Sequence, residues 1–163
     1  MFEVYVIVPV HKKMWETFLG IFTLVLGIMS LVLACFSLIF AIPMLIFGII
    51  GILLTFCSNK EYEYSYFDGE VRFAKIMNKS HRKGLGVYSM EEVVQIAPAG
   101  DRSVYRYETD KTVKVKNYTS NIPGNKTYDM IVNKDGAVSL IKFEPDEKYL
   151  DAVMVKYAQK VIR

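Results

Sequence analysis

Between Thr17 and Asn59 the chain carries no Asp, Glu, Lys, Arg or His. As one α-helix this run would be ~64 Å long, about twice the ~30 Å hydrocarbon core of a bilayer. Two helices joined by a tight turn fit better. The turn is expected between Ser37 and Pro43, because Pro43 lacks the N–H that continues a helix and biases Ile42 away from helical angles. That leaves helices over about 17–36 and 41–58, each just long enough to cross. The sequence thus predicts an N-terminal segment (1–16), a transmembrane hairpin (17–59) and a soluble domain (60–163). A cleaved signal peptide is excluded, since its apolar core is several-fold shorter. Val32-Leu33-Ala34-Cys35 echoes a lipoprotein cleavage site, but Leu33 fits it poorly and the apolar run continues well past Cys35.

Apolar side chains gain nothing by meeting each other in lipid, so helices there associate through close packing of small residues. Gly20, Thr23, Gly27, Ser30, Ala34 and Ser37 follow one another at alternating spacings of three and four. Ala41, Gly48, Gly51, Thr55 and Ser58 keep the same register on the second helix, with only Met44 interrupting. Gly and Ser are common in membrane helices anyway, but so many in phase read as a packing seam. The pattern leaves open whether the seams close the hairpin or join two copies of the chain.

The hairpin inflates the 52% hydrophobic content, and what remains is enough for one modest soluble core. Glu3 and Glu16 cancel Lys12 and Lys13, so the net charge of +3 falls in 60–163. Such a balance gives no reason to expect nucleic acid. Both cysteines, Cys35 and Cys57, lie in the apolar run, which excludes a disulfide framework in the soluble part. His11-Lys12-Lys13 precede the first helix and Lys60 follows the second, while the turn between them is uncharged. Positive residues stay cytoplasmic. Both termini are therefore expected in the cytoplasm, with Trp15 and Phe18 as interfacial anchors. The three N-x-S/T sequons at Asn78, Asn117 and Asn125 then have no use.

Residues 1–10 are rich in β-branched side chains but too short to fold alone. They either add an edge strand to the soluble domain or lie on the membrane surface. Beyond the hairpin the period changes to two. Tyr62, Tyr64 and Tyr66 alternate with Glu61, Glu63 and Ser65, Asp68-Gly69 signals a tight turn, and a return strand covers 70–76. A basic loop (78–83) leads to strands near 85–88 and 93–97, the latter stopped by Pro98. The stretch 99–107 has no clear assignment. Residues 112–118 alternate Val113 and Val115 inward with Lys114 and Lys116 outward. A hairpin over 127–132 and 137–143 follows. Pro145, Asp146 and Glu147 then open a terminal helix to about Ile162, whose apolar stripe is Leu150, Val153, Met154, Tyr157 and Val161. About seven strands and one helix, with no strand–helix–strand alternation, imply a mainly antiparallel β domain capped by the C-terminal helix.

This order resembles the pleckstrin-homology-like (PH-like) fold. The whole layout is similar to uncharacterised two-span bacterial membrane proteins with a PH-like cytoplasmic domain. The stretches carrying the likeness are Glu61-Tyr-Glu-Tyr-Ser-Tyr-Phe-Asp-Gly-Glu70, Lys75-Ile-Met-Asn-Lys-Ser-His-Arg-Lys83 and Ile96-Ala-Pro98. The resemblance implies architecture and supplies no catalytic residue. PH domains that bind inositol lipids use basic residues in an open loop between their first two strands. Read from the sequence, that loop is the Asp68-Gly69 turn, and the pattern is missing.

Catalysis finds little support. His11 and His81 lie in basic flanks, and Gly124-Asn125-Lys126-Thr127 lacks the first glycine of a phosphate-binding loop and precedes a strand. Asp101, Glu108 and Asp110 read as solvated. With two histidines and no cysteine outside the apolar run, thiolate or imidazole metal sites are excluded, and neither a metal nor a cofactor is expected. From Val71 to Met90, however, Arg72, Lys75, Lys79, His81, Arg82 and Lys83 occur without an acid. Near an anionic leaflet each basic residue contributes about 1 kcal/mol. Lys75, Lys79, His81, Arg82 and Lys83 are accordingly the candidate contact with membrane lipid or an acidic partner; the plain alternative is a solvated loop obeying the positive-inside bias. The expectation is a non-catalytic, membrane-anchored binding or scaffolding module, with protein partners or self-association through the helices. The rival is an accessory subunit of a larger transport or secretion complex.

Overall fold

In the computed structural model, residues 3–56 and 59–163 are described. The expectations for Cys57 and Ser58, and for the first two residues of the N-terminal segment, lie outside them. The elements run β1 (Val4–Pro9), α1 (Met14–Ala34), α2 (Ala41–Phe56), β2 (Lys60–Phe67), β3 (Glu70–Met77), β4 (His81–Ser89), β5 (Val93–Pro98), α3 (Arg102–Thr109), β6 (Lys114–Asn117), β7 (Tyr128–Lys134), β8 (Ala137–Phe143) and α4 (Glu147–Tyr157). A single 3-10 turn, Leu38–Phe40, leads into α2.

The two apolar helices are long enough to cross a membrane. Gly20, Thr23 and Gly27 are buried on α1, whereas Phe18, Ile21, Phe22 and Val25 are exposed. The seam closes the hairpin. A Cβ on Gly27 would lie 3.0 Å from the backbone nitrogen of Gly48, and one on Gly51 would lie 2.8 Å from that of Leu24. A Cβ on Gly20 would meet Thr55 Oγ1 at 2.7 Å. Gly48 has open space at the same position, and Ser30 and Ala34, nearer the turn, are only half-buried. The small residues therefore serve unequally: Gly27 and Gly51 admit a backbone, Gly20 a side chain.

The strands form two sheets, in the orders β1-β2-β3-β4 and β5-β7-β8-β6. Eight strands are present because residues 4–9 take the edge-strand alternative, Val4 pairing with Tyr66 and Pro9 with Glu61. The pairing is mainly antiparallel, as expected, and strand β6 is the exception: it runs parallel to β8, from Lys114 opposite Ser139 to Asn117 opposite Lys142. The reason is α3, which occupies the unassigned stretch. Its N-cap Asp101 accepts the Ser103 N–H (2.9 Å), and the helix carries the chain back across the sheet before β6 begins. Val115, expected inward, is 51% exposed at this sheet edge.

Both inner faces share one core. Tyr64, Phe73, Phe143 and Tyr149 are buried and meet edge to face, with centroids 5.6 Å apart for Tyr64–Phe73 and 6.1 Å for Phe143–Tyr149. On the far side of the second sheet α3 lays Val104 over Ala97, Ile131 and Leu140. Covered on two faces, β7 is buried continuously from Tyr128 to Val132, where a one-sided strand would alternate. Helix α4 starts at its N-cap Asp146, which accepts the Tyr149 N–H, and buries Tyr149, Leu150 and Val153. It stops at Tyr157, short of the expected end. After a 3-10 turn Val161 bridges to Ile96, and the Ile162 N–H donates to the Ile96 carbonyl (2.8 Å).

Two stability predictions follow from this packing. Gly51→Ala should lower the melting temperature of the detergent-solubilised protein by several degrees while Gly48→Ala leaves it unchanged; equal effects would contradict the close approach. Leu150→Asp, which buries an unpaired charge beneath α4, should cost several kcal/mol in a denaturant titration.

Candidate functional site

Hydrogen bonds tie the first sheet to the foot of the helical hairpin. The Val10 N–H donates to the Lys60 carbonyl (2.9 Å), so the strand that enters the hairpin and the strand that leaves it are joined at its foot. Lys12 extends its ammonium to the Thr55 carbonyl (2.7 Å), one of the last-turn carbonyls that no helical N–H satisfies. Two loops close around this point. The Asn78 N–H donates to the Asn59 carbonyl (2.9 Å), and the His11 N–H to the Ser120 carbonyl (2.7 Å). Glu144 fixes the second loop by accepting from the Ser120 N–H (3.0 Å), Ser120 Oγ (2.9 Å) and Asn125 Nδ2 (3.1 Å).

The basic run is not one loop. Its chain turns at Asn78, Lys79 and Ser80, with φ +51° and +58° at the first two, and then continues as β4 from His81. Strand alternation divides the candidate residues between two faces. Lys75 sits opposite both Tyr62 and Lys83, on the face of the inward tyrosines. Arg82, opposite Ile76, belongs to the other face, where its guanidinium is paired with Glu63. Lys79 is exposed at the turn, and His81 Nδ1 lies 2.9 Å from Ser80 Oγ. Lys75, Lys79 and Lys83 thus gather at the foot of the hairpin, while Arg82 does not contribute a free charge there.

A cavity of 190 Å³ lies at the same junction, lined by Val10, His11, Lys12, Lys13, Glu16, Lys60, Tyr62, Lys75 and Asn121. Sequence reasoning had used the first three lysines as topology markers only. Their convergence with Lys75 depends on β1 pairing with β2, which a short N-terminal stretch did not reveal. The same pairing corrects the reading of the loop between the first two strands. That connection is the helical hairpin itself, with basic residues on both flanks, and Asp68-Gly69 joins the second strand to the third.

The acids once read as solvated have separate roles. Asp101 caps α3, Asp110 accepts from the Thr112 N–H (2.8 Å), and Glu108 faces Lys142 (3.2 Å). Asp129, on β7 beneath α3, was not singled out by any pattern. It is fully buried, and Lys142 Nζ stands 3.7 Å from its Oδ2. Burial, reinforced by the Glu108 carboxylate, pushes the Asp129 carboxyl up to about 7. Glu108 is held below the usual carboxylate range, first by the neighbouring Asp129 carboxyl and then by Lys142. The two carboxyl groups and Lys142 form one cluster between helix and sheet.

Two sheets sharing a core, closed by a terminal helix and carrying a cationic cleft at one end, define a PH-like module. The chain belongs to the family described as bacterial PH-like domain (DUF6106), whose model matches residues 2–163. Among curated proteins and among solved structures, none matches it.

The Asp129–Glu108 pair generates a pH prediction. An Asp whose folded pKa is raised binds its proton more tightly folded than unfolded, so its contribution falls as pH rises from the ordinary Asp range through about 7. The opposing loss from Glu108 comes only at more acid pH. The melting temperature should therefore decline between pH 5 and about 8, and Asp129→Asn, which keeps the shape but cannot ionise, should flatten that decline and raise stability at the alkaline end. A parallel profile in the variant would refute the raised Asp129 carboxyl.

Proposed function

We propose that this protein is a membrane-anchored, non-catalytic binding or scaffolding module of the bacterial inner membrane. Its two helices cross the bilayer, both termini lie in the cytoplasm, and the PH-like domain rests against the inner leaflet. The observation that carries this reading is the Asn78–Asn59 hydrogen bond, which ties the β3–β4 turn to the end of the apolar hairpin. With α2 in the bilayer, Lys75, Lys79 and Lys83 stand at headgroup level, where an anionic leaflet attracts them. The rival reading needs small-residue seams that are free for foreign helices. Gly20, Gly27 and Gly51 instead face the partner helix of the same hairpin, which favours the self-contained module.

Reporter fusions after Asn59 and at Arg163 should both read cytoplasmic, and a periplasmic signal from either would overturn the topology. A soluble form in which a two-residue turn replaces 10–59 and joins β1 to β2 should bind acidic vesicles weakly. That binding should fade as salt rises, since surface charges are screened over about 8 Å at physiological ionic strength. Reversing Lys75, Lys79 and Lys83 to Glu should abolish it, whereas Arg82→Glu alone should change it little. Absent binding at low salt would leave the basic residues as topology signals only.

A further inference from the structure

We infer that the cavity at the foot of the hairpin is a discrete site for one phosphate group, supplied by the headgroup of an anionic lipid. The inference rests on the membrane-spanning reading above and goes beyond diffuse attraction between a basic rim and a leaflet. Four lysines line the cavity against one carboxylate, Glu16, with His11 beside them and Tyr62 and Asn121 as neutral hydrogen-bonding groups. Among the described residues Lys13, Lys60 and Lys75 have no carboxylate within salt-bridge distance, the bridges of this domain lying elsewhere. Lys12 is already held by the Thr55 carbonyl, with N–H groups to spare. Several lysines around one cavity suit a tetrahedral anion, which accepts from several directions at once.

The walls are set before any ligand arrives. Main-chain hydrogen bonds from Val10 to Lys60 and from His11 to Ser120 fix three sides, so little ordering is left for binding to offset. At 190 Å³ the cavity holds far more than one water, whose share of liquid volume is ~30 Å³, and leaves room for an ester oxygen and a hydroxyl beside the phosphate. Lipid is the favoured source because the cavity sits where α2 ends. Helix α1 leaves from its rim carrying the exposed stack of Trp15, Phe18 and Phe22, with centroids 6.2 and 6.3 Å apart, a surface for an acyl chain.

The test uses the full-length protein in an uncharged maltoside detergent. It is titrated with a monomeric short-chain phosphatidylglycerol, and separately with inorganic phosphate and a short-chain phosphatidylcholine. Bound molecules are counted by native mass spectrometry and the melting temperature is followed in parallel. One phosphatidylglycerol per chain should bind saturably and raise the melting temperature, well ahead of the other two probes. Lys13→Gln with Lys75→Gln should weaken it tenfold or more, as should Lys60→Gln to a lesser degree if the double variant does not fold. Lys111→Gln with Lys114→Gln, equal in charge but remote, should leave the single site intact. Multiple unsaturable adducts, or equal losses in the cavity and remote variants, would overturn the site. Saturation by inorganic phosphate at the same concentrations would overturn the lipid assignment. Reporter fusions on the same variants separate these failures from a failure of the membrane topology.

Discussion

The pairing of β1 with β2 holds the two halves of this molecule together. Six residues of the N-terminal strand pair along β2, and the whole apolar hairpin is the connection between them. The hairpin leaves and re-enters adjacent strands, the Val10–Lys60 hydrogen bond closes its base, and Lys12 satisfies the end of α2. Sheet and helices are consequently oriented by the same backbone hydrogen bonds, and the cationic cleft between them inherits its shape from that junction.

Around it the domain spends its aromatic residues on a single core. Tyr64 donates its hydroxyl to the Tyr118 carbonyl while its ring meets Phe73 and Phe143, so one side chain ties the first sheet, the second sheet and the loop bordering the cleft. The second sheet is covered again by α3. That doubled cover explains why an acid at Asp129 lies in so dry a place, and why it needs a proton as well as Lys142 to remain there.

How much could be read from the residues depended on range. Local signals were reliable: Asp68-Gly69, with φ of +46° and +82°, is the tight turn its composition demands, and the tyrosine face of β2 points inward as alternation requires. Hairpin closure was foreshadowed by the glycines, though which of them touch a backbone was not. What escaped were features set by distant partners. The parallel course of β6 follows from a crossover by α3, whose mean composition is polar and whose buried residue is Val104. The cleft was hidden because its lysines come from three stretches brought together by pairing, and the basic run that looked like a single patch was divided by the two-residue period of β4.

The insertion of the hairpin between paired strands also dictates an order of events during synthesis. Strand β1 leaves the ribosome first, but its partner β2 follows only after both apolar helices have been made. Val4 and Tyr66 are neighbours in the sheet yet far apart along the chain, and no contact between them can form until the hairpin has brought its ends together. A chain whose helices fail to find each other exposes the unpaired edge of β2, an invitation to aggregation. Completion of the sheet therefore requires the two ends of the hairpin to come together.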